Sequence, residues 1–256
     1  MMAFMSSVLG RSKPPAPARR RERLFFEQRP QAIYAIGDIH GCYDGLKAIE
    51  ERIIADAASI DGEKWLICLG DYIDRGPASA AVLDHLTSPP PPGFRRFCIA
   101  GNHEVALQDF LDSDGRQDQW LSIGATETLA SYGLYPRHRD SRSIARMLQE
   151  YLPEEHRDFL RALPEMIVVP DYCFVHAMID PALGLEMQST ETLLWSRPAE
   201  FQWNGVKLGF RVVHGHTPVR DVEINDNRIN VDVGAYLNGH LAAVKIGVNS
   251  VDVIKY

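Results

Sequence analysis

An α/β fold carrying a helical insertion is what the sequence predicts, on three observations. Short apolar runs alternate with amphipathic stretches from residue 31 onward. Residues 118–163 interrupt that rhythm with helix patterns alone, and the remainder of the chain returns to closely spaced strand patterns. The 256 residues, 45% hydrophobic and 24% charged, suffice for one sizeable core but hardly for two full domains.

The first strand is predicted at residues 32–36, an apolar run, followed by a helix over 43–55 with Leu46, Ile49, Ile53 and Ile54 at helical spacing. A second strand at 65–69 precedes a helix at 79–86. The prolines at 89–92 exclude a helix there, so the next pair is a strand at 96–100 and a helix at 104–111. Strand–helix alternation of this length makes βαβ units with right-handed crossovers around a central sheet. Within the insertion, residues 120–132, 143–151 and 154–163 read as helices, separated by Gly133, Pro136 and Pro153. The insertion is expected to lie over one end of the sheet. Strands then follow at 166–169, 172–176, 210–214, 229–233, 241–248 and 251–254.

The net charge of −7 is unevenly spread, because residues 1–30 carry +5 and the body −12. An acidic body disfavours binding to a nucleic-acid backbone and suits a protein that gathers carboxylates around metal ions. Pro14, Pro15, Pro17 and the run Arg19, Arg20 and Arg21 mark residues 1–30 as a disordered basic tail, which leaves 31–256 as one domain. No secretory signal is read at the start, and no run of about 18 apolar residues predicts a membrane span. Cys42, Cys68, Cys98 and Cys173 form no CxxC pair and read as reduced thiols of a cytoplasmic protein.

The chemistry lies in the turns after the first three strands. They read Gly37-Asp38-Ile39-His40-Gly41, Gly70-Asp71-Tyr72-Ile73-Asp74-Arg75-Gly76 and Gly101-Asn102-His103-Glu104. Asp38 and Asp71 are 33 residues apart, and Asp71 and Asn102 are 31, which is one βα unit each. Ligands of open α/β sheets collect at the carboxyl ends of strands, where these turns fall. In extended chain, Asp38 and His40 point the same way and can grip one cation, while Asp71 can bridge two. Asn102 adds an amide oxygen, and His176 and His216 each follow a further strand. Mixed nitrogen and oxygen donors suit manganese, iron or zinc. Two such cations are a known device for splitting phosphate esters.

With these residues in hand, the sequence resembles the calcineurin-like metallophosphoesterases, and within them the phosphoprotein phosphatase family, of the bacterial serine/threonine type. Its GDxHG, GDxxDRG and GNHE motifs stand unbroken and in order, over about residues 31–245. The resemblance implies a β-sandwich flanked by helices, four layers in the order α/β/β/α, with 118–163 as a helical cap. It implies two divalent metal ions, manganese first. Asp38, His40 and Asp71 would hold one; Asp71, Asn102, His176 and His216 would hold the other. His103 would be the general acid, oriented by Asp74. Arg75 would clamp the phosphate together with Asn102, His103 and a second arginine, Arg197 or, failing that, Arg211. Asp232, in a segment similar to the family's IDTGA, is expected to hydrogen-bond a ligand histidine.

The implied activity is hydrolysis of phosphoserine and phosphothreonine in proteins, extending to phosphotyrosine, by direct attack of water activated between two metals. The substrate is then a phosphoprotein or a phosphorylated small molecule. The alternative is symmetrical diadenosine tetraphosphate hydrolysis. Enzymes of that kind tend to carry alanine where Asp74 stands and GNHD in place of GNHE, so the motif text ranks the protein phosphatase first. GHxH, a feature of other relatives, is replaced by Gly215-His216-Thr217-Pro218. Outside the motifs, His214 reads as a buried structural residue and His85, His138, His156 and His240 as solvated. Trp120 reads either as core or as part of the cap's cleft.

Overall fold

A computed structural model describes residues 20–256. Two mixed sheets pack face to face. The first joins β2 (Ala32–Ile36), β3 (Lys64–Cys68), β4 (Phe94–Cys98), β10 (Ala242–Ile246) and β11 (Val251–Lys255), in the order β11-β10-β2-β3-β4. The second joins β1 (Arg23–Phe25), β5 (Met166–Val169), β6 (Tyr172–Val175), β7 (Arg211–His214), β8 (Glu223–Ile224) and β9 (Arg228–Asn230), in the order β1-β5-β6-β7-β9-β8. Alternate residues of facing strands fill the space between the sheets: Ile33, Ala35, Ile67 and Ile99 meet Ile167, Phe174, Val213 and Ile229.

The opposite face of β2 and β3 (Tyr34, Ile36, Leu66 and Cys68) is covered by helices. These are α1 (Tyr43–Ala57), α2 (Ser79–Thr87) and α3 (Asn102–Asp112). In α1 the buried residues Leu46, Ile49, Ile53 and Ala57 recur at three- and four-residue steps, one stripe against the sheet. Burial on both sides explains why all five residues of β2 are fully enclosed and apolar. The outer face of the second sheet (Met166, Cys173, Val175 and Val212) packs on Leu193 of α7 (Thr190–Trp195). The fold is therefore an α/β sandwich, two mixed sheets flanked by helices, as the resemblance implies.

The insertion contains a 3-10 turn at Gln119–Ser122, α4 (Ala125–Ser131), α5 (Ser141–Tyr151) and α6 (Glu154–Ala162). These pack on α2 and α3 and thicken the outer helical layer, while Trp120 and Thr128 reach the turn at the carboxyl end of β3. Their stripes, such as Ile144, Ala145 and Leu148, join the same core.

The predicted basic tail needs correction within the described residues. Residues 1–19 lie outside them, but Arg23–Phe25 form β1, parallel to β5. Leu24 and Phe26 pack into the space between the sheets, and buried Arg23 pairs with Glu165 at 2.7 Å. A three-residue strand flanked by arginines carries too little periodicity to be read from sequence. Among the described residues no helix is long and apolar enough to cross a membrane.

Candidate metal centre

The registers Ile36↔Cys68 and Cys68↔Cys98 align the ends of β2, β3 and β4, so their following turns stand side by side. Across the sandwich, β6 and β7 run parallel in register, and the residues after them, His176 and His216, reach the same end. Backbone bonds tie the turns together: the His40 N–H donates to the Asp71 carbonyl at 2.8 Å, and the Gly215 N–H to that of His176 at 2.8 Å.

Tight turns put the site backbone in the left-handed region. Of eight non-glycine residues with positive φ among those described, five are His40, Asp71, Asp74, Arg75 and His216. Such geometry costs about 1–3 kcal/mol per residue and persists only where the surroundings enforce it. His40, at φ 43°, is thus not in extended chain, and the alternation argument for pairing it with Asp38 fails locally. The flanking glycines are required by proximity. A Cβ on Gly101 would lie 2.2 Å from Asp71 Oδ1, and one on Gly215 only 2.0 Å from Asp38 Oδ1.

Each predicted ligand histidine has one ring nitrogen tied to a backbone carbonyl. His40 Nδ1 lies 2.8 Å from the Ile73 oxygen, His176 Nδ1 2.8 Å from that of Leu69, and His216 Nε2 3.1 Å from that of Trp195. A nitrogen facing a carbonyl must carry the proton, so the other nitrogen of each ring presents a lone pair. Those lone pairs converge on Asp71. Its Oδ1 is 3.4 Å from His176 Nε2, and its Oδ2 is 3.4 Å from His40 Nε2. Asn102 Oδ1 stands 2.9 Å from His176 Nε2 and 3.0 Å from His216 Nδ1. Neutral nitrogens and carboxylate or amide oxygens crowded together, with no protons between them, are a donor set that a divalent cation satisfies.

Two buried groups share the Asp71 carboxylate, as a two-metal site requires: Asp71 with His176 and His216, and Asp71 with His40, beside which His103 also lies. Asp38 stands apart from both. Its two oxygens each lie 3.1 Å from the His216 backbone N–H. Asp232 Oδ1 accepts from the Gly234 N–H at 2.9 Å, and its side chain makes no hydrogen bond to a histidine among the described residues, which corrects the expected contact.

His103 differs from the other histidines. Its Nδ1 lies 2.7 Å from Asp74 Oδ2, while its Nε2 is buried and unpartnered, 3.8 Å from Asp71 Oδ2. Burial alone would lower its pKa, but Asp71 and Asp74 reverse that and raise it. Burial instead wins at His40 and His216, which are pushed down to about 3. Geometry and charge thus keep a proton on His103 and lone pairs on His40 and His216.

Three residues support the site through contacts that the sequence reading did not assign. Trp120 Nε1 donates to Asp74 Oδ2 at 2.9 Å, and Thr128 Oγ1 to Asp74 Oδ1 at 2.6 Å. Both belong to the insertion, so it fixes the carboxylate that orients His103. Glu104 accepts backbone N–H groups of Asp71, Tyr72 and Gly101 at 2.8–2.9 Å, stapling the second turn to the third. The signal for Trp120 was its indole N–H, which needs a partner when buried; which partner depends on a contact 46 residues away. Trp120→Phe should keep most of the packing against Phe110 but remove a bond to a charged group. We expect a loss of about 1.5–3 kcal/mol in urea unfolding; unchanged stability would show that the bond contributes nothing.

Arg75 donates from Nη1 to His40 Nε2 at 3.0 Å and lies over the Tyr236 ring, 4.7 Å from its centroid. Arg197 is exposed, and its charge acts on His216. Arg211 begins β7, at the end of the strand away from His216, so Arg197 is the arginine near the centre. His214 is buried, as expected, and pushed down to about 3 by burial. His156 is buried too, with Nδ1 2.7 Å from the Tyr132 hydroxyl, and half-buried His85 pairs with Glu50 at 2.6 Å. Neither is the solvated residue expected.

In metal-free protein these shifts pull stability both ways. His40, His214 and His216 have folded values near 3 against 6.5 unfolded, so their contribution is full above 6.5 and is lost as pH falls toward 3. Asp38, Glu104 and Asp232, raised by burial, and His103, raised by its carboxylates, act in the opposite direction. The sharper check is group by group: in the chelated protein an imidazole NMR titration should find His40, His214 and His216 still neutral at about pH 5. A ring among them that protonates near 6.5 would contradict its assigned neutral state.

This fold and site are those of a metal-dependent hydrolase of phosphate esters. The model of the calcineurin-like phosphoesterases matches residues 32–243, and the chain belongs to that family. A symmetrical bis(5'-nucleosyl)-tetraphosphatase of Dechloromonas aromatica is 33% identical over 150 residues, 59% of this chain; the match spans 45% of that relative's length. An asymmetrical bis(5'-nucleosyl)-tetraphosphatase, PrpE of Halalkalibacterium halodurans, is 27% identical over 227 residues, covering 82% of this chain and 88% of the relative. Among solved structures, the cold-active protein-tyrosine phosphatase of a psychrophilic Shewanella species superposes with a TM-score of 0.59 at 15% identity, over 93% of this chain and 82% of that one. The last likeness is one of fold alone.

Proposed function

We propose that this chain cleaves the polyphosphate bridge of a dinucleoside tetraphosphate. The observation that carries the substrate is the likeness to a tetraphosphatase over 82% of the chain. It favours the alternative over the protein phosphatase ranked first from the motif text. Asp71, with Asp38, His40, Asn102, His176 and His216, would hold two divalent ions, manganese first. Bound there, such ions lower the pKa of a water between them and neutralise phosphoryl oxygens.

The chain's own groups supply the rest. Arg75 and Arg197 would grip non-bridging oxygens with their guanidinium forks, Arg75 being steadied by the Tyr236 ring. Asn102 and His103 would lie against the phosphate, and His103 Nε2 would donate its proton to the leaving oxygen. Asp74 holds that imidazole by Nδ1 and favours its charged form. Trp120 and Thr128 keep Asp74 from turning away.

One observation favours the second reading. A buried acid held by a carboxylate is most useful against a poor leaving group, such as the alkoxide of phosphoserine or phosphothreonine. The two readings separate in one experiment: kcat/KM of manganese-loaded protein on diadenosine tetraphosphate and on a phosphothreonine peptide. The dinucleotide should win by at least about tenfold, a difference of 1.4 kcal/mol in transition-state binding. Product analysis gives the cleavage position: two ADP for symmetrical cleavage, ATP with AMP for asymmetrical. Preference for the peptide would overturn the proposal in favour of a protein phosphatase.

A further inference from the structure

Beside the metal centre runs a groove of about 840 Å³ that the motifs do not account for. Arg197 and Thr217 line it, and Thr217 directly follows His216 in the chain. The groove runs between the segment 197–204 and the strands β8 and β9. Its size lies within the range of pockets that enclose organic ligands.

Its lining has a particular chemistry. Trp203 is half-buried, and its indole N–H is already spent on the Pro198 carbonyl at 3.0 Å. That bond fixes the ring, which packs in part against the core under the second sheet and turns its remaining surface to the groove. Around it, the side chains of Gln202, Asn204 and Asn227 make no hydrogen bond within the protein, so each has a free donor and a free acceptor. The Thr217 hydroxyl is shielded from solvent and has no partner. Charge in the groove nearly cancels, since Arg228 pairs with Glu223 at 3.1 Å and Asp226 opposes Arg197 in sign.

We infer that this groove is the nucleoside subsite: it takes the base and ribose of one half of the dinucleotide, with the base stacked on Trp203. An aromatic face ringed by carboxamides matches a purine, whose ring stacks and whose edge pairs with Asn or Gln through a donor and an acceptor together. The near-neutral charge suits the base and ribose, while Arg197 faces the phosphates next to His216. This inference rests on the dinucleotide reading above, and the test separates the two.

The test uses manganese-loaded full-length protein, with p-nitrophenyl phosphate, which has no nucleoside, as the reference substrate. Trp203→Ala should lower the ratio of kcat/KM on diadenosine tetraphosphate to that on the reference by roughly 5- to 100-fold, mostly through KM. Trp203→Phe should retain most of the ratio. Ala199 is exposed on the groove wall, so Ala199→Phe fills the groove without disturbing the core and should lower the ratio as well. In parallel, the Ki of ADP against reference hydrolysis should rise by a similar factor in Trp203→Ala, and that of inorganic phosphate should not.

Unchanged ratios in both Trp203→Ala and Ala199→Phe would overturn the subsite while leaving the dinucleotide activity standing. If the wild type cleaves the peptide but not the dinucleotide, the function falls, and the ADP Ki decides the groove alone. Selective loss of peptide hydrolysis in these variants would make it a peptide groove and overturn the inference.

Discussion

Replacing Asp71 with asparagine is expected to lower kcat/KM at least about 10³-fold, whichever phosphate is the substrate. Asp71 is the residue on which both histidine clusters converge, one on each carboxylate oxygen. An amide removes the negative charge and turns one of those oxygens into a donor facing a histidine lone pair. Two-metal assistance is worth several kcal/mol of transition-state stabilisation, and each 1.36 kcal/mol is a factor of ten. Metal analysis of the purified variant should find fewer than two ions per chain. Full metal content with full activity would remove Asp71 from the bridging position. The loss should exceed that of Asp38→Asn, because Asp38 lies outside both clusters and touches the His216 backbone instead.

The second large effect depends on the leaving group. His103→Ala should lower turnover of a phosphothreonine peptide by about 10²–10⁴, the usual span for a positioned general acid. Threonine leaves as a strongly basic alkoxide and needs the proton. A nucleotide leaving through its phosphate, whose pKa is about 6, needs it far less, and p-nitrophenolate needs it little. The losses should therefore rank peptide, dinucleotide, p-nitrophenyl phosphate. Asp74→Asn should show the same ranking at smaller size, since it leaves His103 in place but weakens its hold on the proton. Adding Asp74→Asn to His103→Ala should cost little more, because the two act as one unit. Equal losses on all three substrates would mean that His103 shapes the site rather than protonating the leaving oxygen.

Much of this centre was legible along the chain because its chemistry is written in short, local words. Asp38, His40, Asp71, Asn102 and His103 sit in glycine-flanked turns one βα unit apart, so recognising the alternation is enough to stack them at one sheet end. His176 and His216 were legible for the same reason, each following an apolar run. Side-chain direction at the first turn does not follow from extended geometry. His40 sits at positive φ, and Asp38 turns to a backbone N–H delivered from the other sheet.

The supporting contacts could not be found by inspection of motifs. Trp120 and Thr128 reach Asp74 from a helical layer that carries no motif at all. His156 and His85 looked solvated because nothing nearby in sequence announces Tyr132 or Glu50 as partners. The strand at Arg23–Phe25 exists only because β5 offers an edge and Glu165 a countercharge. The substrate, too, was ranked from motif text that speaks of the reacting phosphate and not of what is attached to it.

By itself, then, the sequence determined the α/β alternation, the donor types and their placement at strand ends, because these follow from periodicity and spacing within about thirty residues. Only the tertiary structure decided which rings burial keeps uncharged and which groups hold Asp74 in place. It also decided which groove adjoins the phosphate. Those depend on burial and on fields from groups far apart in the chain, and burial is a property of the packed molecule rather than of any segment.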